Sequence, residues 1–150
     1  MESVAAKDAG EWLKYMVAVR LGPGLRELGF TGNGPTFRRG LGQACAHVDL
    51  VSETAADHRS VRFTLDVGVS RRDEWTESLR VRPYYLRRQA PGAGRQWTWH
   101  DRIGRLVRVG GLSVGELWWD LAAGQSFDSI AGDVVTMVRE FALPAIADRR

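Results

Sequence analysis

The sequence predicts an α+β fold: a two-layer sandwich whose mostly antiparallel sheet, of about four to six strands, is covered on one face by an N-terminal and a C-terminal helix. Three observations carry this expectation. Val61-Arg62-Phe63-Thr64-Leu65-Asp66-Val67-Gly68-Val69 alternates apolar and polar side chains without a break, the pattern of a strand with one oily and one polar face. Amphipathic stretches of helical period lie near both ends of the chain. Between them run short apolar segments punctuated by Gly, Pro, Asn and Asp.

With 150 residues, the chain has the length of one ordinary domain, and residues 1–150 are read as a single α+β domain. An apolar fraction of 44% and a charged fraction of 26% are those of a globular protein, not a disordered one. No apolar run approaches the ~18–20 residues of a membrane span, so no membrane partner is expected. Met1 to Asp8 has no basic start followed by an apolar core, and a secretory signal is not predicted. Cys45 is the single cysteine, which rules out an internal disulfide and makes a reducing cytoplasm the simplest compartment. Cys45 is expected to be a small buried residue of its strand, not a nucleophile.

Net charge is only +3, but it is unevenly distributed. Residues 1–70 balance 8 basic against 8 acidic side chains, residues 71–108 carry 10 Arg against 4 acids, and residues 109–150 carry 3 Arg against 6 acids.

In chain order, Trp12, Leu13, Met16 and Val17 recur at helical spacing with Glu11, Lys14 and Arg20 on the other side, predicting an amphipathic helix from about Val4 to Arg20. Gly22-Pro23-Gly24 is expected to kink or split it. Leu25 and Leu28 continue a short helical turn that Gly29 stops. Thr31-Gly32-Asn33-Gly34-Pro35 reads as a turn, and Thr36-Phe37-Arg38-Arg39 as a first strand. Residues 44–51 form the next strand, with Ala44, Ala46, Val48 and Leu50 on one face and Cys45, His47, Asp49 and Val51 on the other. Ser52 to Ser60 is read as a polar loop, after which the Val61–Val69 strand pairs antiparallel with its predecessor. Val81 to Leu86 is read as an edge strand, because of Pro83. A strand broken at Gly104 is expected over 96–108, and a turn at Gly110-Gly111. Ser126 or Asp128 is expected to cap a last helix running to about Ala142, its buried stripe Ile130, Val134, Met137, Val138 and Phe141, with Pro144 ending or bending it.

This order, with particular residues, resembles a bacterial family catalogued as domain of unknown function 4304. The matching pieces are Leu25-Arg26-Glu27-Leu28-Gly29-Phe30, Thr36-Phe37-Arg38-Arg39, Phe63 to Val69, His100-Asp101-Arg102-Ile103-Gly104-Arg105-Leu106, Trp118-Trp119 and Ala142-Leu143-Pro144. They span roughly residues 12–146. The chain departs from the family pattern at Leu65, where Asn is common, and in the Arg-rich stretch around 71–96. The resemblance implies a helix-flanked antiparallel sheet and no known activity.

Two constellations are candidate sites. The first is the polar face of the two central strands: His47 and Asp49 on one, Arg62, Thr64 and Asp66 on the other. One register sets Asp49 opposite Arg62 and His47 opposite Thr64; another sets His47 opposite Asp66, where a carboxylate beside an imidazole suits general-base chemistry. The plainer reading is a row of cross-strand pairs. The second is the Arg- and aromatic-rich region 80–108, with Arg82, Tyr84, Arg87, Trp97, Trp99, His100 and Arg102, whose cations and rings suit single-stranded nucleic acid. No His, Cys, Asp or Glu pair has zinc-site spacing, and the Gly-rich turns lack a phosphate-loop lysine. No catalytic residue, metal or cofactor is therefore assigned. Trp118-Trp119 is expected to send one ring into the core and leave the other near the surface. The function expected is binding of another macromolecule, a protein first, with a toxin-neutralising immunity protein as one concrete form. The alternatives are nucleic-acid binding and a hydrolase using His47 and Asp66.

Overall fold

A computed structural model of the chain describes residues 8–71 and 99–149. Helix α1 (Ala9–Met16) starts where Asp8, in extended backbone, accepts the Glu11 N–H at 2.8 Å, an N-cap that satisfies one of the orphan donors of the first turn. Trp12, Leu13 and Met16 are buried on its sheet-facing side. The helix does not break at Gly22-Pro23. It widens into a π turn (Val17–Leu21) and continues as α2 (Gly22–Glu27), with the Gly22 N–H reaching back five residues to the Val17 carbonyl. Pro23 lacks an N–H and its ring crowds the preceding turn; the wider turn absorbs that conflict and helical backbone continues beyond it. Gly24 then lets α2 approach the C-terminal helix, since a Cβ there would lie 2.6 Å from Val135 Cγ2.

The stop at Gly29 is as expected. Its φ is +94°, and the Gly29 and Phe30 N–H groups bond to Arg26 and Leu25 carbonyls, a Schellman closure with Phe30 and Leu25 both buried.

The turn expected at 31–35 contains a short edge strand, β1 (Thr31–Asn33), which pairs with β2 (Thr36–Leu41). β3 (Ala44–Thr54) and β4 (Ser60–Arg71) are longer than the alternation suggested. The connecting loop is only residues 55–59, closed by Ala55 and Ser60 and turned by His58 at φ +60°. That closure sets the register, and both expected registers are wrong. Asp49 faces Asp66, His47 faces Gly68, Val51 faces Thr64 and Glu53 faces Arg62.

Among the described residues the sheet is antiparallel and six-stranded: β1, β2, β3 and β4 in order, then β5 (Trp99–Arg102), with β8 (Trp119–Ala122) also on β4. β5 pairs with Asp66–Val69, and β8 pairs with Ser60–Phe63. Two strands thus share one edge of β4 end to end. The chain between them leaves the sheet through a helical turn, α3 (Ile103–Leu106), and a hairpin, β6 (Arg108–Val109) and β7 (Leu112–Ser113). The strand expected over 96–108 therefore ends at Arg102, because Ile103 turns inward and is fully buried. The edge strand expected at Val81–Leu86 lies outside the described residues.

Helix α4 (Asp128–Met137) is capped by neither Ser126 nor Asp128. Phe127 holds the cap position and is buried, and Asp128 pairs with Arg20 at 2.8 Å. Pro144 does not end the helix. A second π turn (Val138–Ala142) precedes it, with the Leu143 N–H on the Val138 carbonyl, and α5 (Leu143–Arg149) follows. Both long helices thus pass a proline by the same device.

One layer is the sheet and the other the helices. Val61, Phe63, Leu65, Val67 and Val69 of β4, with Ala46 and Val48 of β3, meet Met16, Leu21, Leu25, Val134, Val138, Ala142 and Ile146 in one buried cluster. Burying such side chains stabilises by about 1.5–3 kcal/mol each before entropy is counted, so this layer contact holds the fold together. The opposite face of the sheet carries the even-numbered residues of β4.

Candidate binding surface

On that outer face, position follows from register. β4 supplies Arg62, Thr64, Asp66, Gly68 and Ser70; β3 supplies Cys45, His47, Asp49, Val51 and Glu53; β5 supplies His100 and Arg102. The face is divided. At one end His47 and Ser70 are each 3% exposed. At the other, Arg62, Glu53 and Arg102 stand in solvent.

At the closed end His47 Nε2 lies 2.9 Å from Ser70 Oγ. This is the spacing of a nucleophile–base pair, but with both side chains sealed from solvent it is a buried cross-strand hydrogen bond. Asp66 is diagonal to His47 and engaged elsewhere: Arg102 Nε stands 2.6 Å from Asp66 Oδ1. The register that would set His47 opposite Asp66 is therefore not the one adopted. Cys45 is not a core residue either. It is half-buried on this face, across from Ser70.

At the open end the organising residue is Trp118. The Arg62 guanidinium sits 4.4 Å from its ring centroid and that of Arg102 5.7 Å, both within cation–π range. Each cation is also tied to a carboxylate, Arg62 to Glu53 at 2.7 Å and Arg102 to Asp66. The ring lies there because β5 ends at Arg102 and β8 begins at Trp119, leaving Thr64 with no strand on that edge, opposite β3. Thr64 Oγ1 instead donates to the Leu117 carbonyl at 2.6 Å, seating Trp118 over the gap. Its neighbour points the other way: Trp119 is buried, stacks on Phe63 at 5.5 Å and donates its indole N–H to Asp133 at 2.8 Å. The split between the two tryptophans is the expected one.

The hairpin beside this gap is a finger of unusual composition. Gly110 and Gly111 have φ of +60° and +82°, which a two-residue turn of primed type requires at both centres. Its base is clamped by Val114 on Val107 and Gly115 on Gly104. Val109 is 70% exposed and Leu112 75%, with Val114 at 42% below them. Arg105, paired with Asp101, and Arg108 flank the finger.

Of the other residues expected in a site, His100 is exposed on the outer face, across from Gly68. Trp99 belongs to the opposite face, where it packs on the core with the Arg149 guanidinium 5.1 Å from its ring. Arg82, Tyr84, Arg87 and Trp97 lie outside the described residues. The turn expected at Gly110-Gly111 is present; sequence reasoning missed the finger around it, although Val107, Val109, Leu112 and Val114 flanking two glycines are the signal that marks it. Among the described residues, no three of His, Cys, Asp and Glu gather as a metal site, and no helix is long and apolar enough to cross a membrane.

Residues 21–148 match the model of a family described as a domain of unknown function (DUF4304). The chain belongs to this family. No curated protein and no solved structure matches it. The DUF4304 match begins at the end of the first π turn and takes in every strand of the described residues, the finger, Trp118 and all but the last residue of α5. All of α1 precedes it.

Proposed function

We propose that this DUF4304 chain is a non-catalytic protein-binding module that docks through the edge carrying the finger and Trp118. The observation that carries this reading is the finger itself: Val109 and Leu112 hold most of their apolar surface in water beside the Gly110-Gly111 turn. Apolar surface presented this way beside a Trp–Arg cluster is the composition of an interface core and its anchors. A protein is favoured over nucleic acid because Arg62, Arg102 and Arg105 are each paired to a carboxylate. Their charge is already balanced, and Trp118 already faces guanidinium groups where a base would stack.

The test is capture of partners from native cells by the tagged protein, nuclease-treated, alongside a Val109→Asp/Leu112→Asp double variant. A stoichiometric protein retained by the wild type and lost by the variant is the expected result. Recovery that disappears with nuclease would replace this reading with nucleic-acid binding. A protein retained equally by both chains would move the interface off the finger.

A further inference from the structure

The finger has two unlike faces. Paired residues of a hairpin share a face, and successive pairs alternate. Val109 and Leu112 therefore stand on one face with Val107 and Val114 below them, and Arg108 and Ser113 stand on the other. The apolar face joins the core at its root, where Val107 is buried, and leaves it towards the turn. The other face carries the only charge between Val107 and Val114. Ser113 on that face is already engaged, its hydroxyl donating to the Arg105 carbonyl at 3.0 Å. The Arg108 guanidinium donates to the Gly111 carbonyl at 3.2 Å, which ties it to the turn. That acceptor is neutral. Among the described residues no carboxylate lies within ion-pair distance of Arg108, whereas Arg62, Arg102 and Arg105 each have one.

These two faces constrain what can cover the finger. A second copy, meeting it apolar face to apolar face, would bury Val109, Leu112 and Val114 of each chain. That is far short of the roughly 20–30 residues a side of a stable interface. A projecting ribbon contributes more to a partner that closes around it and covers both faces. Closure takes Arg108 out of water along with Val109 and Leu112, and a buried cation without a counter-charge is costly. The Gly111 carbonyl cannot supply that charge, so the partner must. A carboxylate there would accept from the guanidinium's remaining N–H groups in a charge-assisted pair.

We infer that the finger's partner is a protein with an acidic cleft, one wall apolar against Val109 and Leu112 and the facing wall presenting a carboxylate to Arg108. This rests on the docking reading above and adds the partner's shape and charge to it. The experiment uses the protein retained by the wild type and released by the Val109→Asp/Leu112→Asp variant, purified and titrated calorimetrically against the intact chain. Arg108→Gln should weaken binding by about thirtyfold or more, and Arg108→Glu further still. Arg108→Lys keeps the charge and should lose less than Arg108→Gln. Changing the partner's contacting carboxylate to Lys should make it prefer the Arg108→Glu chain over the wild type. Affinity indifferent to Arg108, or equal losses for Arg108→Lys and Arg108→Gln, would overturn the acidic cleft and leave the docking reading standing. A capture in which no protein depends on Val109 and Leu112 would overturn both. Sedimentation of the chain alone, showing a dimer that Val109→Asp/Leu112→Asp abolishes, would put a second copy in place of the cleft.

Discussion

Thr64 donates its hydroxyl to the Leu117 carbonyl at 2.6 Å, and this one bond joins the middle of the central strand to the chain returning from the finger. It lies where the edge of β4 away from β3 has no strand, between the end of β5 and the start of β8. Thr64→Val keeps the shape and strand preference of the side chain but leaves the carbonyl without its donor. The loss expected is about 1–2 kcal/mol, read as a lower urea midpoint with unchanged slope. An unchanged midpoint would show that the bond contributes nothing net.

Two glycines are required for different reasons. A Cβ on Gly104 would meet only backbone: Gly115 O at 2.6 Å, Leu117 N at 2.7 Å and the Glu116 carbonyl carbon at 3.0 Å. None of these can rotate away, so Gly104→Ala should cost about 3 kcal/mol and loosen the base of the finger. At Gly24 the obstacle is the Val135 side chain, and alanine there gains about 1 kcal/mol of helix preference. The net loss for Gly24→Ala should be about 1 kcal/mol, and Val135→Ala should relieve the clash. Thermal unfolding of the four chains, the Gly24→Ala/Val135→Ala double variant included, decides it; additive losses at 24 and 135 would disprove the clash.

Asp133 on α4 holds Trp119 of β8 through the indole N–H, across the layer boundary. Asp133→Ala removes the acceptor without opening a core cavity and should destabilise by about 1 kcal/mol. Asp133→Asn retains a carbonyl oxygen at the same reach and should lose less. Equal losses in denaturant titration would mean that charge, not the hydrogen bond, is what matters there.

Val109→Asp and Leu112→Asp should leave folding stability within about 0.5 kcal/mol of the parent, because these side chains are already in water. Circular dichroism melts of the double variant measure this directly. A large loss of stability would mean that the finger serves the fold and not a partner.

The faces of the strands and the layer they bury against were legible in the sequence because they depend on local alternation. Val61 to Val69 announces its oily side residue by residue, and the Trp12–Val17 and Val134–Val138 stripes announce the helices that cover it. Gly29 was legible for the same reason, since a positive φ at a helix end selects glycine. Neither proline ends its helix, because Pro23 and Pro144 each forbid one bond geometry and a π turn satisfies the backbone by another.

The surface depended on relations that no local pattern carries. The Asp49–Asp66 register is set by a five-residue loop with His58 at positive φ, and moving a strand by two residues keeps every oily side chain on its face while changing all its partners. The joining of β5 and β8 on one edge of β4 is likewise a long-range choice. It brings Trp118 between Arg62 and Arg102 and turns Trp99 away from them. Side-chain chemistry decides which face is buried; only the packed chain decides which polar groups meet, because strand pairing joins residues that the sequence keeps far apart.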